Sequence, residues 1–385
     1  MLNNLQRQII HNIAFEKSTI DAACTYCLFK DVLKGIVIIK AKDEEGAIDL
    51  YEPFEKIRNI EENLYTPFYG GKVYFLSART FRTLNSSGMS FTWNQRCISF
   101  DTQTISYLDR YYKGQEKEIP SNIKSVLELM KLHRIGVDNI PYLMENLLLL
   151  NEDVESVKDT LLSFEALYYN GKRPLRNKNY IRRTFRNFEK MRKNFECKRM
   201  YYSLYLILIK MSYIQLKYNN KSLEEKMNMM CRFMKEQLGL MLIAELILAK
   251  KYFERGQKYK FFGKVQKGRG DILESLKNMT WDLYHLRLLG WGCVMPTNPY
   301  ADIFVPYFYT YDKRLLEVKE CYMLEALAID KRTKYHYSFY AHENEVMPFI
   351  QELGIMNNRE KKPLLSENEI HELIVKEEKI LLGLG

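Results

Sequence analysis

Three carboxylates stand at positions where local structure should change. Asp101 closes the apolar run Cys97 to Phe100 and opens Thr102 to Tyr112, whose Ile105 and Leu108 have helical spacing. Asp312 repeats the pattern in Y-T-Y-D-K-R-L-L, after the aromatic run Ile303 to Tyr309. Strand, acid, helix puts a carboxylate at the carboxyl end of a strand, where ligands collect in open α/β sheets, so Asp101 and Asp312 face one crevice if their strands are neighbours. Asp282, between Trp281 and Leu283, lies on an otherwise apolar helical face, where a bare charge is costly to bury without a cation. Grouped carboxylates repel one another and bind protons more tightly unless a cation neutralises them, and hard oxygen ligands suit Mg²⁺ or Mn²⁺. Such ions orient and acidify water and stabilise the charge that builds on a phosphate under in-line attack. Each acid also has a plainer use: Asp101 or Asp312 as a helix N-cap, and Asp282 as a partner of Arg287 or a neighbouring lysine.

The order of these acids resembles the PIN-like nucleases, in which a first-strand D-T or D-S, a mid-chain Glu, a helical Asp and a late T-x-D cluster around divalent metal. Asp101-Thr102 resembles the first element, Asp282 the third and Thr310-x-Asp312 the fourth, over a discontinuous span of roughly residues 95 to 320. For the mid-chain Glu the preferred candidate is Glu165, in L-L-S-F-E-A-L-Y-Y, and the rival is Glu245, in L-I-A-E-L-I-L-A. The resemblance implies an endoribonuclease that hydrolyses RNA phosphodiester bonds with Mg²⁺ or Mn²⁺ held by Asp101, Glu165, Asp282 and Asp312. It also implies a PIN-like parallel sheet flanked by helices, and the biological setting of a toxin or phage-defence effector.

A second feature suits the same substrate. From Lys172 to Arg199 there are twelve Lys or Arg and only two acids, Glu189 and Glu196. Arg176, Arg182, Arg183, Arg186, Lys190, Arg192 and Lys193 are the candidate RNA contacts, with Tyr180, Phe185 and Phe188 interleaved for stacking on single-stranded RNA. The opposing reading makes Phe185, Phe188 and Phe195 core anchors beneath a solvated basic face. A further basic stretch, Lys258 to Arg269, is expected as a mobile loop on the substrate side.

The elements that must position these residues follow from periodicity. Residues 1 to 35 read as core helix, with Ile9, Ile10, Ile13, Ile20 and Ala23 at helical spacing and Cys24 and Cys27 on one turn of it. Gly35 to Ala41, Lys72 to Ser77 and Tyr335 to Tyr340 read as strands; an acidic helical stretch surrounds Glu52 to Glu62, and Asn85 to Ser90 reads as a loop. The chain from 119 to 167 reads as helix broken at Gly136 and Pro141; from 181 to 253 it reads as helix broken near Asn219 and Gly239, and Ile272 to Leu289 as one more. A capping box, Ser366-x-x-Glu369, announces a closing helix. Strands alternating with helices predict an α/β protein with a mainly parallel sheet. The expected organisation is an N-terminal α/β extension over 1–94, a nuclease core over 95–320 with a helical insertion at about 172–270, and a C-terminal α/β extension over 321–385.

At 385 residues and 46% hydrophobic content the chain can bury a large core, and a net charge of +10 favours polyanionic partners. No run approaches the roughly 18 apolar residues of a membrane span, since Lys210 and Glu245 interrupt the two most apolar stretches. With no secretory leader at Met1 to Ile10 and seven scattered cysteines, the expectation is a cytoplasmic protein with free thiols. The sequence lacks a G-K-[ST] phosphate loop and a G-x-S-x-G elbow, and its six histidines form no metal-binding pair. Two other classes remain: a non-catalytic nucleic-acid-binding or assembly protein that uses the basic helix, and a subunit regulated by a protein partner through Glu52 to Glu62. A homo-oligomer fits either.

Overall fold

The structure, a computed structural model, describes residues 3–55, 57, 60, 62–77, 96–115, 119–131, 135–149, 153–168, 174–293, 304–333, 335–353 and 364–384. The Asn85–Ser90 loop lies outside them. The chain is mixed α/β and forms two compact units. The first comprises Met1–Arg186, Arg287–Tyr311 and Met323–Ala341; the second comprises Asn187–Leu286, Asp312–Tyr322 and His342–Gly385.

The first unit holds two sheets. Strands β1 (Ile36–Ala41), β2 (Ile48–Asp49), β4 (Lys72–Leu76), β8 (Leu324–Asp330) and β9 (His336–Tyr340) assemble in the order β2-β4-β1-β8-β9, every pair antiparallel. The segments expected as separate N- and C-terminal extensions therefore meet as neighbouring strands, with Ile36 opposite Asp330 and Lys40 opposite Ala326. The second sheet has the order β3-β7-β5-β6, built from β3 (Leu64–Tyr65), β5 (Arg96–Phe100), β6 (Ile135–Asp138) and β7 (Val305–Tyr309). Among the named strands of the described residues only the β5–β6 and β5–β7 pairs are parallel, so the expected mainly parallel sheet is a mixed arrangement. The reason lies in the connections. Helices Thr102–Tyr112 and Ile123–Lys131 supply the crossover that a parallel β5–β6 pair requires, whereas β8 and β9 are joined by a short turn that permits only antiparallel pairing.

Helices Asn4–Phe15 and Thr19–Leu28 cover one face of the five-stranded sheet. Ile9, Ile10, Ile13 and Ala14, with Ala22 and Tyr26, pack against Ile36 and Ile38 of β1 and Ala326 and Ala328 of β8. The Tyr26 hydroxyl donates to the Ile36 carbonyl at 2.8 Å. Ile20, expected in this core, is 75% exposed, and Cys24 and Cys27 are exposed as well, because the helix turns its opposite face to the sheet. Other local readings change too. Gly136 lies within β6, Pro141 occupies the first turn of the Ile140–Leu147 helix, and the acidic stretch contributes a single 3₁₀ turn, Glu52–Phe54, among the described residues.

The second unit is helical: Phe195–Lys217, Leu223–Arg232 with a π-helical turn Phe233–Leu238, Ile243–Arg255, the first part of Ile272–Gly292, and Glu367–Leu382. The turn ends at Gly239, whose φ of 66° suits glycine. Ser366 and Glu369 form the expected capping box. The most apolar run is a buried helix in which Lys210 pairs with buried Glu377 at 3.0 Å, and no described helix is long and apolar enough to cross a membrane. The basic stretch expected as a mobile loop is pinned by buried Tyr259, Phe261, Phe262 and Val265, with Phe262 stacked on Tyr252 at 3.7 Å between centroids.

Lys40 tests the packing of the first unit. Its side chain is fully buried and donates to the Ala14 carbonyl, with Glu325 3.9 Å away; burial lowers its pKa. Lys40→Ala should cost about 2–4 kcal/mol, because it leaves a cavity and an unbonded carbonyl, whereas Lys40→Met should recover most of that by filling the space without a buried ammonium. Urea midpoints of the two variants measure the difference.

Candidate functional site

The site in the first unit is built by strand register. Because β5 and β7 are parallel with Phe100 opposite Tyr309, the next residues of both strands fall side by side. Asp101 is 8% exposed; its Oδ1 accepts from the Thr104 N–H at 2.6 Å and its Oδ2 accepts from the Thr310 hydroxyl. Asp101 is thus both an N-cap of Thr102–Tyr112 and a strand-end carboxylate, and the threonine of the T-x-D motif is what it meets.

On the other side of β5, Ser99 pairs with Asp138 at the end of β6. Asp138 accepts from the Ile140 N–H at 2.9 Å and the Ser99 hydroxyl at 3.4 Å, while burial pushes its carboxyl above the usual range. This acid was missed in the sequence, although V-D-N-I-P carries the same strand, acid, helix signal as S-F-D-T. Asn139, which follows it, is 2% exposed, and among the described residues neither atom of its amide has a hydrogen-bond partner. The Thr102 hydroxyl donates to Glu145, whose helix, Ile140–Leu147, begins there.

Glu165 sits on Val154–Tyr168, which packs on Thr102–Tyr112 and places the Phe164 ring 5.7 Å from that of Phe100. The carboxyl is 2% exposed, its Oε2 has no hydrogen-bond partner among the described residues, and burial pushes its pKa up to about 7. Glu165 Oε2 and the Asn139 amide oxygen are thus buried oxygens with hydrogen-bonding capacity unused among the described residues, and hard oxygens of this kind suit Mg²⁺ or Mn²⁺. Among the described residues, no three His, Cys, Asp or Glu side chains gather closely enough to hold a metal ion.

The other sequence-derived acids belong to the second unit. Asp312 caps Lys313–Val318, accepts from the Arg314 N–H at 2.8 Å, and binds the guanidinium through both oxygens, at 3.1 and 2.6 Å. Burial opposes ionisation, but Arg314 outweighs it and holds the carboxyl below its usual range. Asp282 is half-buried and lines a cleft with Lys264, Ser275, Asn278 and Arg314, whose charge it feels. Arg287, its expected partner, donates to the Tyr340 hydroxyl at 3.2 Å. Glu245 is fully buried and accepts from the Tyr322 hydroxyl at 2.8 Å, while the lysines expected beside it pair with Glu254, Glu345 and Glu320.

The basic helix is Pro174–Arg192. Arg182, Arg183, Arg186, Lys190 and Lys193 are exposed, and Arg192 is half-buried beside Glu189 at 3.7 Å; the side chains of Arg176 and Tyr180 lie outside the described residues. Phe188 is buried and unavailable for stacking, and the half-buried Phe185 ring carries the Lys158 ammonium at 5.7 Å. The phenylalanines anchor the helix while its cations face water. Comparison with protein-family models, curated proteins and solved structures finds no match to this chain.

Glu165 gives the first unit a pH signature. Its carboxyl titrates at about 7 in the folded chain against an ordinary 4.5, so the stabilisation from its proton is complete below the unfolded value and is lost as pH rises through the folded one. Between about pH 5 and pH 8, Glu165→Gln should gain about 1–3 kcal/mol relative to the unsubstituted chain. Parallel pH profiles of the two in urea would refute the assignment.

Proposed function

We propose that this chain is a metal-dependent endoribonuclease of the PIN-like kind, with its reaction centre at the strand ends of the first unit. The observation that carries the reading is the bond from Thr310 to Asp101, which joins the D-T and T-x-D motifs at the ends of two parallel neighbours. Asp101 and Asp138, on the same sheet edge, are the hard oxygen donors that Mg²⁺ or Mn²⁺ would use there, and among the described residues no third His, Cys, Asp or Glu side chain completes a metal-binding group with them. When bound, the ion supplies an acidified water and neutralises charge developing on the scissile phosphate.

The chain's own groups do the rest. The Thr104 N–H and the Thr310 hydroxyl fix the Asp101 carboxylate, and each of its oxygens keeps a second lone pair. Glu165, with a carboxyl that titrates near neutrality, takes up the proton released by the attacking water. Arg182, Arg183, Arg186, Lys190 and Lys193 bind RNA phosphates. Asp312 and Asp282 enter this reading as the acids that orient Arg314 in the second unit, rather than as metal ligands. The setting of a toxin or phage-defence effector belongs to the same proposal. The competing reading, RNA binding without cleavage, is favoured by one observation: both Asp101 oxygens already serve the helix cap and Thr310.

Asp101→Asn should abolish Mn²⁺-dependent cleavage of RNA by the purified chain while the fold persists by circular dichroism. Cleavage at the unsubstituted rate removes Asp101 from the centre, and an unsubstituted chain that binds RNA but never cuts it, with either ion, favours the competing reading. Replacing Arg182, Arg183 and Arg186 together by Ala should weaken single-stranded RNA binding and reduce the salt slope by about 2, since three fewer phosphates are neutralised. An unchanged slope returns the helix to a structural role.

A further inference from the structure

We propose that the cleft of the second unit is a binding site for a singly protonated phosphate group. Its walls come from three segments, all within that unit. Ser275, Asn278, Met279 and Asp282 lie at i, i+3, i+4 and i+7 of the Ile272–Gly292 helix and so share one of its faces. Phe261 and Lys264 come from the chain around the 3₁₀ turn Lys260–Phe262, which packs against Lys313–Val318 and sets them beside Arg314. The cleft has a volume of about 90 Å³, room for on the order of six to nine waters. That suits a tetrahedral oxyanion and is too small for a base with its sugar.

The donors in the cleft are unclaimed. The Ser275 side chain is 8% exposed, and among the described residues neither its hydroxyl nor the Asn278 amide has a hydrogen-bond partner. The exposed Lys264 ammonium is in no ion pair among the same residues. Arg314 is fixed by Asp312 through Nε and Nη2, which leaves both hydrogens of Nη1 for a ligand. Two cations, a hydroxyl and an amide in one small cleft are a donor set for anionic oxygens. Lys260, Lys277 and Lys313, each next in sequence to a lining residue, are exposed and strengthen the positive field, against one such acid, Glu274.

Asp282 decides which anion. Its carboxylate lines the same cleft and only accepts hydrogen bonds, with about four lone-pair sites to do so. A fully ionised sulfate meets it with repulsion alone. A phosphate group, whose second pKa is about 6, keeps one proton at small cost and donates that O–H to Asp282, while its other oxygens accept from Lys264, Arg314 and Ser275. The two cations that attract the anion also repel a metal ion from Asp282.

Isothermal titration of the full chain with inorganic phosphate, sulfate and uridine 5′-monophosphate tests this. Phosphate should bind saturably and about tenfold or more tighter than sulfate, the difference made by one hydrogen bond to a charged group. Lys264→Ala and Ser275→Ala should each weaken phosphate about tenfold with the melting temperature kept, because Lys264 is exposed and the Ser275 hydroxyl has no described partner. Asp282→Asn should invert the selectivity, weakening phosphate and strengthening sulfate, since an amide donates to an ionised oxygen; a gain for sulfate cannot come from a damaged fold. Uridine 5′-monophosphate binding as tightly as the free ion makes the occupant the phosphate end of a nucleotide, and binding of inorganic phosphate alone makes it the free ion. No saturable binding, equal affinity for phosphate and sulfate, or phosphate affinity unchanged in the Lys264 and Asp282 variants each overturns the proposal.

Discussion

The parallel, in-register pairing of β5 with β7 is the constraint on which the candidate site depends. It aligns two chain positions 209 residues apart, so that the carboxylate ending one strand accepts from the hydroxyl ending the next. Parallel pairing leaves both carboxyl ends on the same edge, and β6, parallel to β5 on its other side, adds Asp138 to that edge. An antiparallel arrangement of these strands would have sent the three ends to opposite edges. The sheet thus concentrates acids without any one segment carrying an acidic cluster.

The molecule treats its buried charges in two ways. Lys210 with Glu377, and Glu245 with the Tyr322 hydroxyl, show buried polar groups supplied with partners, which is what a low-dielectric interior requires. Among the described residues Glu165 and Asn139 are buried with unused hydrogen-bonding capacity, and both belong to the first unit. Unsatisfied buried groups are costly, and these two lie in the unit in which Asp101 is fixed by Thr104 and Thr310. In the second unit the arginine beside the acids answers the same problem differently: Asp312 is neutralised by Arg314.

Surface and core divide the Pro174–Arg192 helix in a way that composition alone did not reveal. Ile181 and Phe188 anchor one side, and Arg182, Arg183, Arg186 and Lys190 are exposed on the other, so Phe188 drops out as a stacking platform while backbone contact by cations stays in the RNA-binding reading. The Thr19–Leu28 helix divides in the opposite sense, with its apolar residues on both sides and water on one of them.

What the sequence determined by itself was local. The strands at 36–41, 72–76 and 96–100, the Thr102–Tyr112 helix with Asp101 at its start, and the capping box at Ser366 were legible because periodicity, a cap and a turn glycine act over a few residues. Asp138 was legible in principle by the same signal. Only the tertiary structure decided which strands are neighbours, that Thr310 meets Asp101, that Arg314 binds Asp312, and that the Cys24–Cys27 face looks outward. Each of those depends on residues far apart in the chain, and on which of two faces of an element wins burial. That choice is made by the summed packing of the whole unit and is not recorded in the pattern of any one segment.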